Sequence, residues 1–143
     1  MTRQESSAIL HSTCVAIDGR AVLISGASGS GKSALALELI ALGALLVSDD
    51  RTRLTLHEGV PVATAPDAIR GLIEARGVGL LQAEVCPAAP VVLAVDLDRT
   101  EQERLPPERH VSILGCAVTL LHKVEHAHFP AAIALYLMGG RRA

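Results

Sequence analysis

The sequence predicts an α/β fold built on a mixed, partly antiparallel sheet that carries a phosphate-binding helix. Three observations predict it. Short apolar runs of strand length recur along the chain, at residues 9–17, 21–25, 44–47 and 91–95. A glycine-rich stretch, residues 26–31, separates one such run from a strong helix former, residues 32–42. Two turn signals, Asp18-Gly19 and His57-Glu58-Gly59, sit between apolar runs and mark hairpins. A purely parallel sheet, with strand and helix in strict alternation, leaves no room for those hairpins.

The elements follow in order. Residues 9–17 read as one strand, turned by Asp18-Gly19 into a second strand at 21–25. The helix from Lys32 stops at Gly43, and a buried strand at 44–47 ends in Ser48-Asp49-Asp50. Residues 54–56 and 60–63 form the next hairpin. Pro66-Asp67 starts a short helix toward Arg70, and residues 74–79 read as a loop punctuated by Gly77 and Gly79. Residues 91–95 are a buried strand, Pro106-Pro107 an exposed break, residues 120–128 strand or loop, and residues 131–138 the last helix. No internal repeat or low-complexity segment interrupts this plan.

Composition bounds the function. The chain has 143 residues, 50% hydrophobic and 20% charged, which suits one domain with an ample core. Its 13 basic and 15 acidic residues give a net charge of −2, without the basic excess of a nucleic-acid binder. Aromatic residues are 1%, Phe129 and Tyr136, too few for base-stacking recognition. The three cysteines, Cys14, Cys86 and Cys116, are odd in number and widely spaced, as in a reduced cytoplasmic protein. The polar N-terminus has no signal core, and the apolar stretch 34–47 is too short and too mixed to span a membrane.

The chemistry starts at Gly26, Ala27, Ser28, Gly29, Ser30, Gly31, Lys32 and Ser33, a full match to GxxxxGK[ST]. Glycines let backbone N–H groups turn toward phosphate oxygens, and the following helix adds its positive N-terminal end. Lys32 reaches the β- and γ-phosphates, and the Ser33 hydroxyl holds Mg²⁺. Phosphoryl transfer also needs a carboxylate at the metal and another for the acceptor's proton. Two apolar runs end in acids, at Asp49-Asp50 and at Asp96-Leu97-Asp98. A third cluster places Glu74 between Arg70 and Arg76, beside Gly77 and Gly79. His122-Lys123-Val124-Glu125-His126 fits an inverted zinc-protease signature. The 17 residues after it hold no acidic third ligand, so it reads as an exposed polar stretch.

Taken together, His11 before the glycine loop, the loop itself, Leu46-Val47-Ser48-Asp49-Asp50, and Glu74-Ala75-Arg76-Gly77-Val78-Gly79 occur in one order. That order resembles the catalytic domain of bacterial HPr kinase/phosphorylase, in its short proteobacterial form, over about residues 9–115. Ile113-Leu114-Gly115 also resembles a late segment of the family. The resemblance implies a P-loop fold similar to phosphoenolpyruvate carboxykinase, as a single catalytic domain over residues 1–143 with the family's N-terminal domain absent. It implies ATP-dependent phosphorylation of a serine on the phosphocarrier HPr, with Mg²⁺, in regulation of the phosphotransferase system and carbon metabolism. The reverse phosphorolysis of the phosphoserine, and assembly into a hexamer, are implied with it. By resemblance Asp49 is the general base, His11 its partner, Lys32 the stabiliser of the transferring phosphoryl group, and Arg104 a catalytic arginine. Ser33 and Glu74 bind Mg²⁺, with Asp50 as helper.

The chain departs from the family pattern at three places. Ala27 and Ala34 replace acidic residues, and Phe129-Pro130-Ala131-Ala132 stands where Pro-Gly-Arg-Asn is expected. Two other readings stay open: an ATP-binding sensor that docks another regulator with little phosphotransfer, and a small-molecule kinase.

Overall fold

A computed structural model describes residues 6–142. Eleven strands and two helices follow one another among them. They are β1 (Ser7–Leu10), β2 (Ser12–Ile17), β3 (Arg20–Ser25), α1 (Lys32–Ala41), β4 (Leu45–Ser48), β5 (Thr52–His57) and β6 (Val60–Thr64). After a 3₁₀ turn at Asp67–Ile69 come β7 (Leu72–Ala75), β8 (Gly79–Gln82), β9 (Ala89–Thr100), β10 (Arg109–Ile113), β11 (Cys116–Lys123) and α2 (Phe129–Gly139).

Nine strands form one curled mixed sheet in the order β1-β5-β6-β9-β3-β2-β4, with β11 and β10 branching from β9. β9 is parallel to both β3 and β11, while β2 runs antiparallel between β3 and β4. β4, β3, β9 and β11 therefore all point the same way. Their C-terminal ends share one sheet edge, the edge at which open α/β sheets bind ligands.

The alternation of apolar side chains builds a core on each face. Val15, Val22, Ile24, Leu93 and Val95 meet Leu35, Leu39, Ile133 and Leu137 of the two helices. Cys14, Ala16, Ala21, Leu23 and Val47 face the other way, against Leu54, Ala63, Ile113 and Val118. An extra residue in β9 shifts its register against β3, where Ala21 pairs with Val91 but Val22 with Leu93. That bulge lets Val91 face one core and Leu93 the other. Burial pushes the Cys14 thiol above its usual range, with Cys86 adding to the effect, so Cys14 behaves as a core residue.

Several sequence expectations hold. Asp18-Gly19 and Glu58-Gly59 have both φ angles positive, as type I′ turns require. Others need correction. The strand expected over residues 9–17 is two strands bent apart at His11. β1 pairs with β5, and β2 pairs with β3 and β4. The loop expected at 74–79 is the tip of a hairpin, since Glu74 pairs with Leu80 and Ala75 with Gly79. The β10–β11 hairpin turns at Leu114-Gly115, where leucine takes a φ of 51° that it rarely adopts.

Leu39 is fully buried between α1 and the sheet. Leu39→Ala is expected to cost about 2–5 kcal/mol of stability by leaving a cavity. Urea unfolding checks this: the midpoint falls while the slope stays that of the wild type.

Candidate active site

Gly26 to Ser33 span the turn from β3 into α1. The turn depends on glycine at two points. A Cβ on Gly26 would lie 2.5 Å from the Ser30 hydroxyl and 3.1 Å from Leu97 Cβ. Gly31 caps the helix at a φ of 102°, a left-handed conformation that glycine adopts at little cost. No side chain caps α1 and no acid occupies its first turn, so its N–H groups remain open to an anion.

Two braces hold the loop. Lys32 Nζ donates to the carbonyls of Gly26 at 2.8 Å and Ala27 at 3.2 Å. Asp98, at the end of β9, accepts the Ala27 N–H at 2.9 Å, and its own N–H donates to Asp96 Oδ1 at 2.8 Å. The acids at 96–98 thus support the phosphate loop from beneath. The Ser30 hydroxyl is buried without a hydrogen-bond partner.

The residue beside Ser33 is Asp49. Its Oδ1 accepts the Ser33 hydroxyl at 2.6 Å and the Thr13 hydroxyl at 2.9 Å. Its Oδ2 accepts the backbone N–H of Glu74 at 3.0 Å. Asp49 is only 8% exposed, and three donors from three separate segments occupy it. Thr13 in turn accepts the N–H of Asp50 at 3.1 Å. Asp50 takes a left-handed φ of 69°, which aspartate tolerates better than most residues, and its side chain is exposed. Adjacent acids therefore have opposite environments, one buried against the loop and one open to solvent.

The bend at Asp49–Arg51 runs alongside the bend at His11. On one side Leu10 pairs with Thr52, and on the other Cys14 pairs with Ser48. Three residues lie between these pairs on each chain, so by position His11 stands opposite Arg51 and Ser12 opposite Asp50. Thr52 Oγ1 donates to the Ser12 carbonyl at 2.9 Å, and Ser48 Oγ donates to the Arg51 carbonyl, which fixes the corner. His11 is exposed there.

The remaining expected residues are placed as follows. Glu74 reaches the cluster through its backbone, while its side chain is exposed on β7. Arg104 is exposed in the loop between β9 and β10. That loop is closed by a two-bond ion pair of Arg109 with Glu101, at 3.2 and 3.1 Å, and by Arg141 donating to the Pro106 carbonyl. The pairing holds the Glu101 carboxyl below its usual range. In the polar stretch at 122–128, His122 and Lys123 close β11, Glu125 accepts the Thr100 hydroxyl at 3.2 Å, and the His126 and His128 rings stack. The stretch is not a helix, and among the described residues no three His, Cys, Asp or Glu side chains converge on a metal position. Thr13 is not singled out in the sequence: it is a polar residue in an apolar strand, with no local signal of its distant partner. Asp98 reads there as one of the acids ending a strand, and its partner is the Ala27 N–H of the loop.

Comparison with known proteins adds the lineage. The profile of the HPr Serine kinase C-terminal domain matches residues 3–117. The chain belongs to that family. It is 37% identical over 124 residues to the HPr kinase/phosphorylase of Caldicellulosiruptor bescii, a match covering 78% of this chain and 40% of the relative. It is 36% identical over 104 residues to that of Halalkalibacterium halodurans, covering 67% and 34%. The chain thus spans well under half the length of these relatives. The structure of the HPr(Ser) kinase/phosphatase from Coxiella burnetii matches with a TM-score of 0.76 at 26% identity, covering 92% of this chain and 88% of that one. The curled mixed sheet with its two helices is therefore a shared family fold. No helix among the described residues is long and apolar enough to cross a membrane.

Thr13→Val keeps the shape of the side chain but removes its bonds to Asp49 and to the Asp50 N–H. It is expected to lower stability by about 1–3 kcal/mol, the cost of leaving buried partners unpaired. Thr13→Ser, which keeps the hydroxyl, is expected to restore most of that loss in the same urea titration.

Proposed function

We propose that the chain is an ATP-dependent protein-serine kinase domain that phosphorylates HPr, as the names of its relatives suggest. The observation that carries the proposal is the Asp49 cluster. A carboxylate fixed against the P-loop serine stands next to a second, exposed carboxylate at the end of the same strand.

This arrangement favours an exchange of the two roles that the resemblance implies. A general base needs a lone pair open to the acceptor hydroxyl. Asp49 has its oxygens engaged by Ser33, Thr13 and Glu74 and lies inside the protein. Asp50 is exposed, at the bend that runs alongside the one carrying His11. We therefore assign the base to Asp50 and the metal side of the site to Asp49 with Ser33. Both are hard oxygen donors of the kind Mg²⁺ prefers, and Mg²⁺ usually takes one or two protein ligands and fills the rest from phosphate and water. Glu74, whose N–H already touches Asp49, is the further carboxylate at that edge. A Mg²⁺ ion held by Asp49 and Ser33 would neutralise phosphate charge during transfer.

The chain's own groups then act in sequence. The N–H groups of the loop and of α1's first turn cradle the phosphates. Lys32 leaves the Gly26 and Ala27 carbonyls and turns to the γ-phosphate, where charge develops in the transition state. The acceptor serine oxygen bonds to the γ-phosphorus as the bond to the β-phosphate oxygen breaks, and ADP leaves. The serine proton passes to the Asp50 carboxylate. By the resemblance, His11, exposed at the neighbouring bend, would be the partner of that base. In phosphorolysis an oxygen of inorganic phosphate would bond to the phosphorus of the phosphoserine as its bond to the serine oxygen breaks, giving pyrophosphate, with Asp50 returning the proton to the serine oxygen.

The test is transfer of labelled phosphate from ATP, with Mg²⁺, to purified HPr. Wild type is expected to give serine-linked label. Lys32→Ala is expected to abolish it, and Asp50→Asn to slow it by at least about 100-fold, the scale of a lost general base. Wild-type protein that binds ATP but leaves HPr unlabelled contradicts the proposal. Asp50→Asn protein that transfers at the wild-type rate contradicts the assignment of the base.

A further inference from the structure

A cavity of about 260 Å³ opens beside the phosphate loop, on the side away from Asp49 and Asp50. One wall is Gly31, Ala34 and Leu35, the end of the loop and the first turn of α1. The facing wall is Val124, Ala127 and Phe129, from the segment joining β11 to α2. Its size is near the lower end of small-molecule pockets, too large for a phosphate alone and too small for a whole nucleoside triphosphate. Its lining is mainly apolar, with Ser30, Glu38, Lys123 and His126 as its polar members.

Position says what fits there. β3 carries the phosphate loop at the middle of the shared edge. Asp49 and Asp50 stand to one side, beyond β2, at the end of β4. The cavity stands to the other side, toward β9 and β11, with Leu97 and Lys123 among its lining residues. In phosphoryl transfer the attacking and leaving oxygens lie roughly in line through the γ-phosphorus. An acceptor that enters over Asp50 therefore requires the leaving nucleotide to extend to the opposite side of the loop. That side holds this cavity.

We infer that the cavity between α1 and the 124–129 segment receives the base and ribose of the nucleoside triphosphate. The inference rests on the kinase reading and adds to it the place of the nucleoside. Recognition there is by shape and apolar contact. The phosphates are held separately, by the loop. Base and phosphate binding should therefore separate by mutation.

The experiment measures calorimetric affinities of the full chain for ATP and for inorganic tripolyphosphate, both with Mg²⁺. Ala127→Leu and Ala34→Leu each fill the cavity from an exposed small residue, on opposite walls. Circular dichroism melts identical to wild type establish that both variants are folded. Wild type is expected to bind ATP more tightly than tripolyphosphate. Each variant is expected to lose about tenfold in ATP affinity, or 1.4 kcal/mol, with tripolyphosphate affinity held within about twofold. Variants that bind ATP as tightly as wild type overturn the inference, as does equal loss of both ligands. Wild type that binds tripolyphosphate and ATP equally also overturns it, while leaving the phosphate loop intact as a site. Wild type that binds neither overturns the kinase reading itself.

Discussion

The buried carboxylate of Asp49 is the constraint on which the rest of the site depends. It follows β4, yet it joins the helix after the phosphate loop through Ser33, the start of β2 through Thr13, and the β7–β8 hairpin through the Glu74 N–H. A carboxylate this buried is costly unless its oxygens are satisfied. Here three donors satisfy it, and a fourth bond, from the Asp50 N–H to Thr13, extends the network to the neighbouring acid. Such networks polarise and rigidify one another. The consequence is positional: Ser33, Glu74 and Asp50 hold fixed places although they lie far apart in sequence.

Sheet topology explains why these groups can meet at all. Four strands of like direction bring their C-terminal ends to one edge, and each end delivers a different part. β3 delivers the phosphate loop, β4 the two acids, β9 the Asp98 brace beneath Ala27, and β11 the segment that walls the cavity. β2, antiparallel between β3 and β4, starts at this same edge and so places Thr13 between the loop and the acids. The bend at His11 sends β1 away to pair with β5 and leaves the histidine exposed beside the Asp49–Arg51 bend.

Much of this was legible in the sequence, and for physical reasons. The phosphate loop is a local motif whose glycines are demanded by close packing and positive φ, as Gly26 and Gly31 illustrate. Turns at Asp18-Gly19 and Glu58-Gly59 use residues suited to the backbone they form. What stayed hidden depended on partners distant in the chain. The contrast between a buried Asp49 and an exposed Asp50 goes with bonds from Thr13 and Glu74, 36 and 25 residues away from Asp49. Asp98 acts 71 residues from Ala27. The β10–β11 hairpin was missed because Leu114 takes a conformation that its side chain disfavours, and the β7–β8 hairpin because Gly77 and Gly79 read as loop.

In the proposed function Asp49 is the metal-side carboxylate and Asp50 the open one. Titration of ATP affinity against Mg²⁺ concentration tests that division without relying on turnover. In wild type and in Asp50→Asn, the account predicts that Mg²⁺ tightens ATP binding to a similar extent. In Asp49→Asn, it predicts that the Mg²⁺ dependence is largely lost. Loss of that dependence in Asp50→Asn, with Asp49→Asn behaving as wild type, would contradict it.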